Sequence, residues 1–465
     1  MINKVITRAL IVALLFLVGG TGLFATGSEE AEGEKPTLVW VTSVQGGREP
    51  EEIPLFDAEV ERLTGVRVQT IKPPGSEYTT KLTTMLASGE QVDIAYAGGG
   101  TYVNFVEQGL LTPLTDRIEA SPVLSDSKII PASEWDRVRS ADGEIYGVFN
   151  KFEQGTLAIV RGDWLDKLGL SEPQTLDDYY DVLYAFTYDD PDGNGLDDTW
   201  GMAIGYTLYD MVGLFGSHGL MRGWVYDEAG ELYSPYASDE AIPVYEWIAK
   251  VYADGLLEPN FITNNSGAFR DLFMGDKSGM NWYWAAWVGL YNQQVHTEDP
   301  NNPFEARGIA PPEGPGGRLL KAGGDGFMVV PGLSEYKDEA FQVAEFWHTY
   351  DGNVLSTLGI LGHDYNMVGG KYVMTEIGDA HARDHGAPQP KSLAWVNPFG
   401  ELPGFDEAAA IVREYALPQM ATSFDKIWED ITRGEAAKII LGDITAAQGV
   451  ANMRARFAEE GIGAY

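Results

Sequence analysis

No cysteine occurs among the 465 residues. Disulfides are therefore excluded, as is any chemistry that needs a thiolate nucleophile, redox couple or zinc ligand. A chain this long can hold itself together by core burial alone. Without a cysteine there is also no residue to carry an acyl anchor, so the chain is not expected to be a lipoprotein. Basic residues are scarce, 32 Lys and Arg against 69 Asp and Glu, for a net charge of −37. That surface repels phosphate backbones and anionic lipid, which argues against nucleic acid as a partner. Histidine occurs six times, and only His381 and His385, in HARDH, have an i, i+4 spacing that suits zinc. With no third ligand nearby in sequence and Gly386 following, the pair reads as surface. G-x-S-x-G and H-E-x-x-H motifs are absent, and no repeat of about 20–50 residues is visible. Beyond the N-terminus no run approaches the roughly 18 apolar residues of a membrane span.

The chain opens with MINKVITR, carrying Lys4 and Arg8, then ALIVALLFLVGG and a run of small residues. This is the layout of a secretory signal, with cleavage expected after Ala25 or Gly27. Residues 1–27 are read as a signal peptide, an uncleaved anchor being the alternative. SEEAEGEK (28–35) reads as a flexible acidic leader. The mature protein is expected outside the cytoplasm, periplasmic or extracellular.

From Thr37 onward the pattern is α/β. TLVWV (37–41), VRVQTI (66–71) and VDIAYAG (92–98) read as strands, separated by helical patterns over residues 54–65 and 76–90, the second capped by Ser76. Alternating strands and helices imply a mostly parallel sheet covered on both faces. Residues 142–150 read as a turn and strand. PQTLDDYYDVLYAFTY (173–188) is a helix with Thr175 as its cap, and Asp177 and Asp178 lie in its positive first turn. Residues 275–290 and 323–350 each predict a strand followed by a helix. The Pro- and Gly-rich stretch between them, residues 302–318, predicts an exposed connection.

The helix at 173–188 runs into YDDPDGNGLDD (188–198). Counted from Asp190, the loop places Asp190, Asp192 and Asn194 at positions 1, 3 and 5, Gly195 at 6, Leu196 at 7 and Asp198 at 9. A hard cation such as calcium takes six to eight oxygens, and alternate side chains around a glycine bend, plus a carbonyl from position 7, supply them. Position 12 is Gly201, where an EF-hand carries a bidentate glutamate, so the loop is EF-hand-like only. A metal-free turn rich in Asp and Asn is the plainer alternative. A metal here would serve rigidity, not catalysis.

The ordered stretches SEYTTKLTTMLASGEQVDIAY, EQGLLTPLTDRI, DGEIYGV, RGDWLDKLGL, PQTLDDYYDVLYAFTYDDPDGNGLDD and GDKSGMNWYWAAW together resemble the family 1 extracellular solute-binding proteins. These are the carbohydrate receptors of bacterial ABC importers. The likeness spans nearly the whole mature chain and is greatest to the oligosaccharide-binding branch that carries a calcium loop. In that branch the ligands match Asp190, Asp192, Asn194, the Leu196 carbonyl and Asp198, often followed by a glutamate; here Thr199 stands in that place. The resemblance implies a hinged, two-lobed periplasmic-binding-protein fold of type II with discontinuous lobes. Transferred to this chain, one lobe is residues 36–149 plus 274–350 and the other 150–273 plus 351–465. It also implies a monomer that delivers its ligand to membrane permease subunits.

A sugar presents flat C–H faces and a rim of hydroxyls, so its receptor needs aromatic platforms and in-plane hydrogen-bonding groups. In NWYWAAW, Trp282 and Trp284 fall on one face of a strand, Tyr283 on the other, and Trp287 on the next helix. Tyr96, at a strand end before three glycines, Trp224, Trp395, Glu153 and Asp325 complete the candidate ligand set, although large aromatics more often build cores. Two rival readings use the same residues. One is a secreted glycoside hydrolase working with a carboxyl pair, and the other is a calcium-dependent scaffold or adhesion protein.

Overall fold

The computed structural model describes residues 35–47, 49–75, 77–152, 155–205, 211–381, 394–400 and 402–463. The expected signal peptide, Ser76, Glu153 and His385 lie outside them. Strands β1 (Thr37–Val41), β2 (Arg67–Ile71), β3 (Ile94–Gly98) and β4 (Gly147–Phe152) occupy the first third of the chain. Then follow β5 (Thr156–Arg161), β6 (Trp200–Met202), β7 (Val225–Tyr226), β8 (Leu232–Tyr233), β9 (Ser278–Trp284) and β10 (Ala306–Ile309). β11 (Leu320–Lys321), β12 (Asp325–Val329), β13 (Tyr365–Val368), β14 (Lys371–Met374) and β15 (Ala416–Leu417) complete the series.

Two open sheets organise these strands. The first has the order β2-β1-β3-β12-β4 and the second β10-β5-β9-β6. In the first, β1 pairs in parallel with β2 and β3, whereas β12 runs antiparallel to both β3 and β4. Each sheet has its own apolar core. Trp40, Phe56, Phe149, Phe327 and Trp347 anchor one, and Trp164, Trp224, Tyr236, Trp282 and Trp428 the other. The molecule is thus two α/β lobes: the chain passes from the first to the second between β4 and β5, returns between β11 and β12, and has entered the second core again by Ala408.

Local chemistry explains several elements directly. The helix Ile53–Thr64 stops at Gly65, whose φ of 74° puts it in the left-handed conformation that closes helices. The helix Leu176–Tyr188 begins with a reciprocal cap: Thr175 accepts the Asp178 N–H, and the Asp178 carboxylate accepts the Thr175 N–H.

Two expectations are corrected. Residues 274–309 do not join the first sheet, because β9 lies between β5 and β6, with Ala158 opposite Trp282 and Thr156 opposite Trp284. Conversely Leu355 and Ile360, from the stretch assigned to the second lobe, pack in the first core. An all-buried strand carries no sequence mark of which sheet it enters, since the pairing is non-local. The second correction concerns residues 302–318. Ala306 and Ile309 are buried, and this part of the stretch is strand β10 at the edge of the second sheet. Its apolar positions outweigh the surrounding prolines and glycines.

Candidate functional site

β5 begins and β11 ends at the passages from β4 and to β12, and several partly buried aromatic rings lie at the end of β9, which pairs with β5 there. Trp284 closes β9 opposite Thr156, the first residue of β5, and is only partly buried. The Lys321 ammonium lies 5.7 Å from its ring centre. Tyr283, one residue earlier on the opposite face, and Trp287, on the helix Ala286–Glu298, are also partly exposed, with ring centres 5.7 Å apart. The Arg270 guanidinium sits 3.9 Å from the Trp287 ring centre and 5.9 Å from that of Tyr283. Flat apolar faces beside cations and donors can stack on a ring-shaped ligand and bond its rim.

The first lobe contributes Tyr96 and Asp325. A Cβ on Gly326 would lie 2.6 Å from the Tyr96 hydroxyl, so the phenol lies directly on backbone that only glycine leaves clear. Asp325 pairs through both oxygens with Arg137, at 2.9 Å from Nη2, and that pairing raises the arginine pKa and holds it charged.

Trp282 and Trp224 do not belong to this surface. Trp282 is buried, stacked 6.2 Å from Tyr179, and a Cβ on Gly213 would meet its ring at 2.7 Å. Trp224 is fully buried and meets Phe457 edge-on at 4.8 Å. In both cases the second core takes the indole, the most apolar area a side chain offers. Trp395 packs with Val354, Leu358 and Tyr365 in a small third cluster. A groove of about 250 Å³ between the helix Ala286–Glu298 and residues 397–403 contains none of the predicted ligand residues.

Arg270, Lys321 and the Thr422–Asp425 corner escape sequence reasoning. Thr422 and Asp425 precede and open the helix Asp425–Ile440, and the Asp425 carboxylate accepts the Thr422 hydroxyl at 2.8 Å. Across the lobes this corner abuts Gly100 in the helix Gly99–Glu107, where a Cβ would lie 2.3 Å from the Thr422 carbonyl. Burial raises the Asp425 pKa above 3.8, against the bonds from Thr422 that lower it. The contact of this corner with Gly100 is non-local and leaves no mark in the sequence.

In the acidic loop, Asp190 has a φ of 50°, and its carboxylate accepts the Gly195 N–H at 3.1 Å. Asn194 bonds Asp192 at 2.7 Å and Asp198 at 3.1 Å through its amide, while Lys277 pairs with Asp198 and lowers its pKa. The acidic oxygens are thus held by N–H groups and one ammonium, and the three carboxylates do not all come within ligating reach of one another among the described residues. Asp190, Asp192, Asn194 and Asp198 are oxygen donors of the kind a hard divalent cation takes, and the Asn194 amide and the Lys277 ammonium now occupy the positions beside their carboxylates. Leu196 projects outward and is exposed, which leaves its backbone carbonyl as the donor to consider.

HARDH is also corrected. His381 is not a surface residue; its ring is largely buried, with Nδ1 3.2 Å from Asp364.

The profile of the bacterial extracellular solute-binding protein family matches residues 49–353. The chain is 28% identical over 381 residues to the polygalacturonan/rhamnogalacturonan-binding protein YtcQ of Bacillus subtilis (strain 168), covering 77% of this chain and 74% of that protein. It is 27% identical over 369 residues to Lipoprotein LipO of the same organism, covering 75% and 71%. Its fold superposes on alginate-binding protein AlgQ2, crystallised without calcium ion, with a TM-score of 0.69 at 20% identity, covering 92% of this chain and 96% of that one. The ABC substrate-binding protein Lmo0181 from Listeria monocytogenes, in complex with cycloalternan, gives 0.68 at 17% identity, covering 92% and 100%. The matched profile takes in the whole second sheet and every strand of the first except β1, and the chain belongs to the bacterial extracellular solute-binding protein family.

Proposed function

We propose that this protein captures a carbohydrate, an oligosaccharide rather than a single sugar, between its lobes and hands it to the permease subunits of an ABC importer. The observation that carries the reading is a pair of partly buried aromatic groups at the end of β9, Trp284 with Lys321 on one face and Tyr283 and Trp287 with Arg270 on the other. Tyr283 and Trp287 pack against the second core with part of each ring left accessible, and Trp284 lies outside that core, so each has a face left for a ligand. The names of the relatives agree, since YtcQ, AlgQ2 and Lmo0181 each carry a saccharide in theirs. Tyr96, Asp325, Trp395 and Glu153 remain candidates for the opposing wall. The cations beside the rings also suit a uronic-acid unit, which neutral platforms alone would not favour.

In the same reading, Asp190, Asp192, Asn194, Asp198 and the Leu196 carbonyl hold a calcium ion that stiffens the junction between the helix Leu176–Tyr188 and β6. Bound there, the ion supplies charge neutralisation for the carboxylates. Thr199 is buried and bonds the Phe186 carbonyl at 2.8 Å, so it anchors the loop instead of adding a ligand. The protein acts as a monomer outside the cytoplasm, and with no cysteine its retention there does not depend on an acyl anchor. Among the described residues no helix is long and apolar enough to cross a membrane.

Tryptophan fluorescence should report binding when the mature protein is titrated with a panel of neutral and uronic-acid oligosaccharides, with chromatography of each mixture afterwards. A saturable change with the saccharide recovered intact is the expected result. Shortened saccharides would make the protein a hydrolase, and no response to any of the panel would remove the carbohydrate reading.

A further inference from the structure

Outside the cleft and the acidic loop, four side chains converge where residues 359–381 pack against the start of the helix Ile53–Thr64. Glu52 and Asp364 are both more than nine-tenths buried, at 5% and 1% side-chain exposure, and the rings of His363 and His381 lie beside them. His363 Nδ1 is 3.2 Å from Asp364 Oδ2, and His381 Nδ1 is 3.2 Å from Asp364 Oδ1. Glu52 Oε1 faces both rings, 3.6 Å from His381 Nδ1 and 3.9 Å from His363 Nε2. Two ligands about 2.0–2.1 Å from a tetrahedral zinc ion lie roughly 3.3 Å apart; one ligand atom each from Glu52, His363 and Asp364 already lie within 4.8 Å of one another, and His381 Nδ1 is beside both carboxylates.

The carboxylates are held as ligands are held. Glu52 Oε2 accepts the Glu49 N–H at 3.0 Å, which leaves Oε1 toward the imidazoles, and Asp364 Oδ2 accepts the Ile360 N–H at 2.8 Å. Each also rests on a glycine in the left-handed region. A Cβ on Gly47, at φ 87°, would lie 2.6 Å from Glu52 Oε2, and one on Gly359, at φ 91°, would lie 2.4 Å from Asp364 Oδ2. An independent sign of a missing partner comes from His363. Its Nδ1 is buried and makes no hydrogen bond, although Asp364 Oδ2 is close, because the geometry between the two is wrong for a shared proton. A cation between two lone pairs removes that conflict.

We propose that Glu52, His363, Asp364 and His381 form a site for one divalent transition-metal ion of the zinc type, which clips the β13–β14 hairpin to the first lobe. Two imidazoles and two carboxylates make a neutral complex with such an ion and suit its tetrahedral preference. Calcium, which takes six to eight oxygens, belongs to the acidic loop instead. The inference does not depend on which solute the cleft takes.

The test is calorimetric titration of zinc into the chelator-stripped protein in excess calcium. A single saturable zinc site is expected, weakened about tenfold or more in His363→Ala and in His381→Ala and unchanged in Asp192→Ala. No saturable zinc, zinc displaced by calcium, or zinc binding indifferent to both histidine substitutions would overturn the proposal. Cobalt(II) added to the unaltered protein gives a second reading that does not need the variants to fold. The strong visible absorption of a tetrahedral site supports the proposal, and the faint absorption of an octahedral ion overturns it.

Discussion

Replacing Trp284 by alanine should weaken saccharide binding roughly tenfold, about 1.4 kcal/mol, with a smaller effect on the melting temperature than loss of a core tryptophan, because the ring is only partly buried at a strand end and lies outside the core. Trp282→Ala, two residues earlier, should do the reverse. Its ring is sealed between Tyr179 and Gly213, and truncating a buried tryptophan costs about 3–5 kcal/mol through lost transfer energy and the cavity left behind. Urea denaturation and fluorescence titration of the two variants check both halves, and an affinity loss in Trp282→Ala without destabilisation would reverse the assignment. Asp425 gives a pH signature. Burial raises its pKa above 3.8, so the proton binds the folded form more tightly. The associated stability is complete below that value and is lost as pH rises through the raised pKa. Unfolding midpoints of Asp425→Asn and the parent should therefore converge in acid and move in favour of asparagine as pH increases past the carboxylate range. A gap that is flat with pH would show that Asp425 ionises freely.

The acidic loop is best tested as an element, because its ligands come from one continuous segment between a capped helix and a strand. An ion that binds only the folded loop stabilises by about 2.7 kcal/mol at a concentration one hundred times its Kd. A calcium chelator should accordingly lower the melting temperature of the parent by a few degrees and leave Asp192→Ala unmoved. An identical melting curve with and without chelator would take calcium out of the loop. The helix feeding the loop was plain in the sequence, since Thr175, Asp177 and Asp178 mark its start and its apolar face repeats at helical spacing. Strand β10 was hidden for the converse reason: four residues among prolines and glycines, too few to show a period.

The lobes of the whole molecule meet at Gly100 as well as at the crossings, and no side chain fits between that residue and Thr422. Gly100→Val should hold the lobes apart, since its Cβ alone would enter the van der Waals space of a backbone carbonyl. Small-angle scattering is expected to show a larger radius of gyration for this variant, and saccharide affinity should fall while each lobe keeps its fold. An unchanged radius together with unchanged affinity would mean that this contact has no part in closure. Alternating strand and helix patterns marked the α/β character and the family resemblance implied the two lobes, but the assignment of residues 274–309 was not foreseen.

What the chain determined on its own was whatever depends on neighbours in sequence. Helix caps such as Thr175, turns such as Gly65, the close-set oxygens of residues 190–198 and the excess of aromatics are all written within a dozen residues. Tertiary structure alone decided which sheet β9 enters, that Trp282 is core while Trp284 is not, and that His381 meets Glu52 and Asp364 instead of solvent. Those outcomes turn on burial, and burial is settled by which distant segments pack together, a competition for apolar surface that no local spacing records.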